Sequence, residues 1–148
     1  MKKFKFNLQR ILTIKEKKED LLKQELQRLI YKQNQYVKVK EYYEEMLAET
    51  YADMRNKGSF TSEEHMLQEQ YVFSIRNNIY SQDLMIKDYG LKIEAKRAEL
   101  FENRKEVKTL EKLKEKEREE YLYIQMQEER KVMDEIAAQR VIRESINV

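Results

Sequence analysis

The chain has 148 residues, a length suited to one domain, with 39% charged side chains, no proline, no tryptophan, no cysteine and two glycines. Strand-rich and multi-loop folds need more turn residues than this, and disulfides and thiolate metal sites are excluded. A net charge of +2, from 30 basic and 28 acidic residues, gives no overall field to attract nucleic acid.

The opening MKKFKFNLQRIL is basic, but Lys5, Asn7, Gln9 and Arg10 interrupt its apolar residues, so it does not read as a secretory leader. From there the strong helix formers Leu, Glu, Lys, Gln, Arg, Met and Ala run to the turn at RNKGSFTSEE. A sevenfold column passes through Leu8, Lys15, Leu22, Leu29, Tyr36, Tyr43 and Thr50, with Leu12, Leu26, Leu47 and Met54 at four-residue offsets. Asn56, Gly58 and Ser59 stop this helix, and Gly58 suits the left-handed conformation that follows a C-cap.

Thr61 with Glu64 has capping-box spacing, Glu63 and Glu64 favour the positive end of a helix dipole, and Phe60 stands at a staple position. The second helix carries an unbroken column, Val72, Ile79, Ile86, Ile93, Leu100 and Val107, with Ile75, Tyr89 and Leu110 between. Gly90 reads as a tolerated mid-helix surface position. A short turn makes two such helices antiparallel. The reading is therefore all-α: one coiled-coil hairpin domain over 1–148, with helix one at about 6–56, a turn at 57–61 and helix two at about 62–143.

Counting back from the turn places Leu8 near Val107 to Leu110. Helix two should then outlast helix one by about thirty residues, or roughly 45 Å at 1.5 Å per residue. Residues 111–120, EKLKEKEREE, read as a solvated charged stretch. Beyond it Leu122, Met126, Met133 and Ile136 form an apolar stripe with no partner in the chain, a surface that another protein would cover. Tyr42, Tyr71 and Phe73 fall beside or off the seam near the turn and make a second candidate interface.

Long helices bury one stripe each and leave no core thick enough to enclose an active-site pocket, which argues against an enzyme and against any cofactor. There is no phosphate-binding glycine loop, and the single histidine, His65, forms no zinc constellation. No apolar run exceeds four residues, so no direct membrane insertion is expected. Basic and acidic residues alternate too evenly for a groove that tracks phosphates, so no nucleic acid is expected as a partner.

Several features together resemble a known family, the flagellar export protein FliJ. They are the opening FKFNLQRIL; Asp53, Met54 and Gly58 at the turn; Tyr71 followed by Ile75 and Ile79; and the late EERKVMDEIAAQR with Asp134, Glu135, Ala137 and Arg140. The resemblance covers essentially the whole chain. It implies a soluble coiled-coil component of the flagellar type III export machine, similar to the stalk subunit of rotary ATPases. Such a component contacts the hexameric export ATPase and the membrane export-gate protein, is linked to export chaperones, and works in the cytoplasm at the inner face of the membrane.

Carried over by position, the resemblance implies a gate-binding surface of Gln35, Val39, Tyr42 and Met46 on helix one, with Tyr71, Ile75, Asn78 and Gln82 on helix two. Met46 stands where an aromatic is familiar, and Asn78 and Gln82 where smaller or imidazole-bearing residues are. The ATPase-binding end implied is Phe4, Phe6, Leu8, Met133, Ile136 and Arg140. The expected role is a non-enzymatic rod that couples ATPase to gate and is a monomer in isolation. The alternatives are a generic coiled-coil spacer, a homodimeric scaffold and, more remotely, a nucleic-acid-binding arm.

Overall fold

The structure is a computed structural model that describes residues 3–147. It contains two helices, α1 (Gln9–Lys57, 49 residues) and α2 (Ser62–Ile146, 85 residues), and among the described residues no strand. This is the all-α helical hairpin with a longer second helix that the heptads imply. The residues group into two compact units, Glu19–Glu102 around the turn, and Met1–Lys18 with Asn103–Val148.

In the turn unit, Gly58 has φ +78, the conformation open to glycine at least cost, and Ser59 N–H donates to the Lys57 carbonyl at 3.0 Å. Arg55 and Lys57 lie in the last turn of α1, where cations complement the dipole. The capping box is closed in both directions: Glu64 N–H donates to Thr61 Oγ1 at 3.2 Å, and Thr61 N–H to Glu64 Oε2 at 3.4 Å. Phe60 lies under the Lys57 ammonium, 5.1 Å from ring centroid to Nζ.

Both expected columns are the faces that lose solvent here. Leu22 and Thr50 of α1 and Ile75, Ile93 and Leu100 of α2 are buried, and Leu26, Leu29, Tyr36, Tyr43, Val72, Ile79 and Ile86 are half-buried. Each fully buried aliphatic contributes roughly 1.5 to 3 kcal/mol. The pairing is antiparallel, since partners on α2 fall in number as those on α1 rise. Lys96 Nζ meets Glu25 at 2.6 Å, Gln33 Nε2 donates to the Ile86 carbonyl at 3.2 Å, Lys40 meets Asp83 at 2.7 Å, and Arg76 donates to the Tyr51 hydroxyl. Tyr36 and Tyr89 stack with centroids 5.5 Å apart. Gly90 is half-buried beneath Gln33, whose Nε2 lies 3.5 Å from where a Cβ would stand.

The other unit begins with a short segment that departs from the expected helix start. α1 starts at Gln9, not near residue 6, and residues 3–6 belong to neither a helix nor a strand. Successive side chains in an extended segment alternate faces. Phe6 is buried and Phe4 half-buried, while Lys3, Lys5 and Asn7 face water. A helix would have put the two rings on different sides. Gln9 N–H donates to the Phe6 carbonyl at 3.1 Å and turns the chain into α1.

Phe6 then packs with Leu12 and Val107, flanked by Phe4, Leu8 and Leu110, and Phe4 reaches Tyr121 at 5.6 Å between centroids. Asn103, 3% exposed, donates from Nδ2 to the Lys15 carbonyl at 2.9 Å, and Lys15 also pairs with Glu106. Helix α2 runs to Ile146, past the expected 143, because Glu144, Ser145 and Ile146 contain no breaker. Asn147 N–H still donates to the Arg143 carbonyl at 3.1 Å.

Candidate functional site

Two surfaces carry the residues singled out by the sequence. The first lies in the turn unit, where Tyr42, Glu45, Met46, Glu49, Thr50 and Asp53 of α1 face Leu67, Gln68 and Tyr71 of α2. Lys57, Phe60 and Glu64 close it, and the groove has a volume of about 640 Å³. The seam turns Thr50 inward, where its hydroxyl donates to the Met46 carbonyl at 2.8 Å. Tyr42, Leu67 and Tyr71 stay exposed because they lie off the sevenfold column. Lys57 Nζ bonds Glu64 Oε2 at 3.2 Å, and this hydrogen bond first, the Thr61 N–H second, holds the Glu64 carboxyl below its ordinary value. Gln68 Oε1 is buried without a donor.

Of the eight residues of the implied gate surface, Tyr42, Met46 and Tyr71 line this groove. Gln35, Val39 and Gln82 line a neighbouring depression together with Tyr31 and Tyr36. Ile75 lies in the seam at 3% exposure and offers no surface of its own, and Asn78 is half-buried. Glu45 and Glu49 were not singled out from the sequence, and Asp53 entered only as part of the turn motif, not as a member of a carboxylate row. Their four-residue spacing, which puts them on one helix face, was the available signal.

The second surface belongs to the unit containing both chain ends. Phe4, Phe6 and Leu8 are brought together in the cluster on α2, with Phe6 buried in it. Met133, Ile136 and Arg140 are not part of that cluster. Met133 lies roughly 18 Å beyond Tyr121 along α2, at 1.5 Å per residue, and Met133, Ile136 and Arg140 are all exposed.

The seam positions of α2 stay half-buried through Lys114, Glu117 and Tyr121, and Phe4 of the N-terminal segment lies against Tyr121. After Gln127 every described residue is exposed, including Val132, Met133, Ile136, Val141 and Ile142. The expected stretch of uncovered apolar side chains is therefore present.

The described residues contain no group of three His, Cys, Asp or Glu able to hold a metal. Among them no helix is long and apolar enough to cross a membrane. A family model described as flagellar FliJ protein matches residues 4–145. No curated protein and no solved structure matches the chain.

Proposed function

Because the chain belongs to the flagellar FliJ family, a component of the flagellar export apparatus, we propose that it couples the export ATPase to the membrane export gate and assists in handling export chaperones. In this reading it works without catalysing a reaction, at the cytoplasmic face of the membrane. The observation that carries it is the family match over 4–145 combined with the uncovered apolar side chains of α2 beyond Gln127. That stretch, with Met133, Ile136 and Arg140, is the ATPase-binding element. Phe4, Phe6 and Leu8 hold its base by packing against α2 around Val107 and Leu110. Tyr42, Met46 and Tyr71 belong to the gate-binding surface with Gln35, Val39, Asn78 and Gln82, and Ile75 supports them from within the seam.

The test uses purified export ATPase and the cytoplasmic part of the gate protein as separate baits. Met133→Glu with Ile136→Glu should abolish ATPase binding and spare gate binding, and Tyr42→Ala with Tyr71→Ala should do the reverse. All four residues are exposed, so helicity should be unchanged. Either pair impairing both interactions alike would refute the two-surface reading.

The uncovered side chains of α2 also favour a second reading, a homodimeric scaffold in which two copies cover each other. Light scattering separates the two, because a dimer that Met133→Glu dissolves would support the scaffold and a monomer would support coupling.

A further inference from the structure

The overall charge of +2 conceals a local imbalance. Between residues 41 and 69 there are eight carboxylates and only two basic residues, Arg55 and Lys57. Lys57 is already engaged by Glu64. Glu45, Glu49 and Asp53 stand on successive turns of α1 along the rim of the turn groove, exposed, with no cation within ion-pair distance among the described residues. Like charges four apart on a helix destabilise it slightly, and something cationic against the row relieves that repulsion. The floor beside it is apolar and adaptable, made by Met46, Leu67, Tyr42 and Tyr71. The Gln68 carbonyl oxygen is buried there with no donor.

We propose that this groove docks a basic segment of a partner protein, with an aliphatic or aromatic anchor on the Met46–Leu67–Tyr71 floor and Lys or Arg side chains on Glu45, Glu49 and Asp53. The inference rests on the reading of the turn surface as partner-binding and adds the chemistry of what binds. Charge complementarity selects the occupant, since an anionic or neutral segment leaves the carboxylate row uncompensated. A second copy is the competing occupant, because residues 1–18 carry seven basic side chains and one acidic one. Part of that segment is committed elsewhere, since Phe4, Phe6 and Leu8 pack in their own cluster and Lys15 pairs with Glu106.

The experiment is fluorescence anisotropy of the full chain with a labelled amphipathic peptide of lysine and leucine at helical spacing, against its glutamate–leucine counterpart. The cationic peptide should bind and the anionic one should not. A triple change, Glu45→Gln, Glu49→Gln and Asp53→Asn, should weaken binding about tenfold or more, as loss of rim complementarity predicts. The same charge loss elsewhere at the same spacing, Glu111→Gln, Glu115→Gln and Glu119→Gln, should change it less than about twofold once salt screens distant charges. Equal loss in both triples, or binding of the anionic peptide, overturns the inference. So does a dimer that only the groove triple dissolves. A gate interaction lost in the Tyr42→Ala, Tyr71→Ala protein but retained in the groove triple removes the inference and leaves the gate reading standing. The converse, peptide docking that depends on the carboxylates with a gate interaction untouched by either set, removes the gate reading and leaves the inference.

Discussion

Replacing Asn103 by leucine should make the protein more stable and less particular about its pairing. The amide is 3% exposed, donates one hydrogen bond to the Lys15 carbonyl, and leaves Oδ1 buried without a partner. Losing that hydrogen bond costs about 0.5 to 1.5 kcal/mol, while removing an unsatisfied buried acceptor returns about 1 to 3 kcal/mol. A buried leucine adds roughly 1.5 to 3 kcal/mol, reduced by about 1 to 3 kcal/mol if the larger side chain strains the seam. The balance is a gain of about 1 to 2 kcal/mol, or roughly 2 to 8 °C in Tm at 2 to 4 °C per kcal/mol.

Thermal melts followed by circular dichroism give the shift, and light scattering reports the accompanying loss of specificity as dimers or mixed species, since a lone seam asparagine fixes register. Asn103→Ala is the control: it removes the same orphaned oxygen without filling the space, and should gain less than leucine. A leucine variant that melts below the parent would refute the reasoning.

Gly90→Ala should raise Tm by about 2 to 4 °C, because alanine is favoured over glycine by about 0.8 to 1.0 kcal/mol in a helix and its Cβ meets only the Gln33 amide at ordinary contact distance; a lowered Tm would mean that the close approach of Gln33 needs the bare backbone. Ile75→Ala should cost about 2 to 5 kcal/mol as a seam cavity, seen as a lower urea midpoint; an unchanged midpoint would show that the side chain is not buried in solution.

Phe6→Ala should speed hydrogen exchange at residues 9–18 while leaving the amides of 30–50 protected, since Phe6 packs in the cluster with Leu12 and Val107; uniform acceleration would contradict this. On acidification, stability should fall below about pH 4.5. Lys96, Lys57 and Lys15, each first through a hydrogen bond, hold the Glu25, Glu64 and Glu106 carboxyls below their ordinary value of 4.5, so the folded state binds those protons less tightly than the unfolded chain. Lys40 and Lys96 are raised above 10.5 by Asp83 and Glu25, so their contribution is lost only as pH climbs through those raised values. A urea midpoint that increased below pH 4.5 would refute the assignment.

The seam was legible because it follows one physical rule, sevenfold burial, which Leu22, Ile93, Leu100 and Val107 obey without exception. The turn was equally legible, since Gly58 and the Thr61–Glu64 box act through neighbours a few residues away. The start of α1 was not: the alternation of Phe4 and Phe6 is visible in the sequence, but only their contact with α2 over Val107 to Tyr121 shows that it replaces the first helical turn. Ile75 shows the same limit at the candidate site. Placing it beside Tyr71 on a surface ignores that its own heptad position directs it inward. Gly90 reads as a surface position until the Gln33 amide over it is seen, a relation between residues far apart in sequence. The groove carboxylates escaped for another reason: balanced composition over the whole chain hides a local excess.

The hairpin turn at Gly58 also sets an order of assembly. Lys57 and Glu64 meet by closing a loop of a few residues, whereas Phe4 and Tyr121 must find each other across most of the sequence, and the entropy of closure grows with that separation. Zippering therefore begins at the bend and travels outward. During translation α1 waits with its apolar stripe open to water until the bend and the facing part of α2 have been made. The phenylalanine clasp, made before the helix it closes on, is the last to fasten.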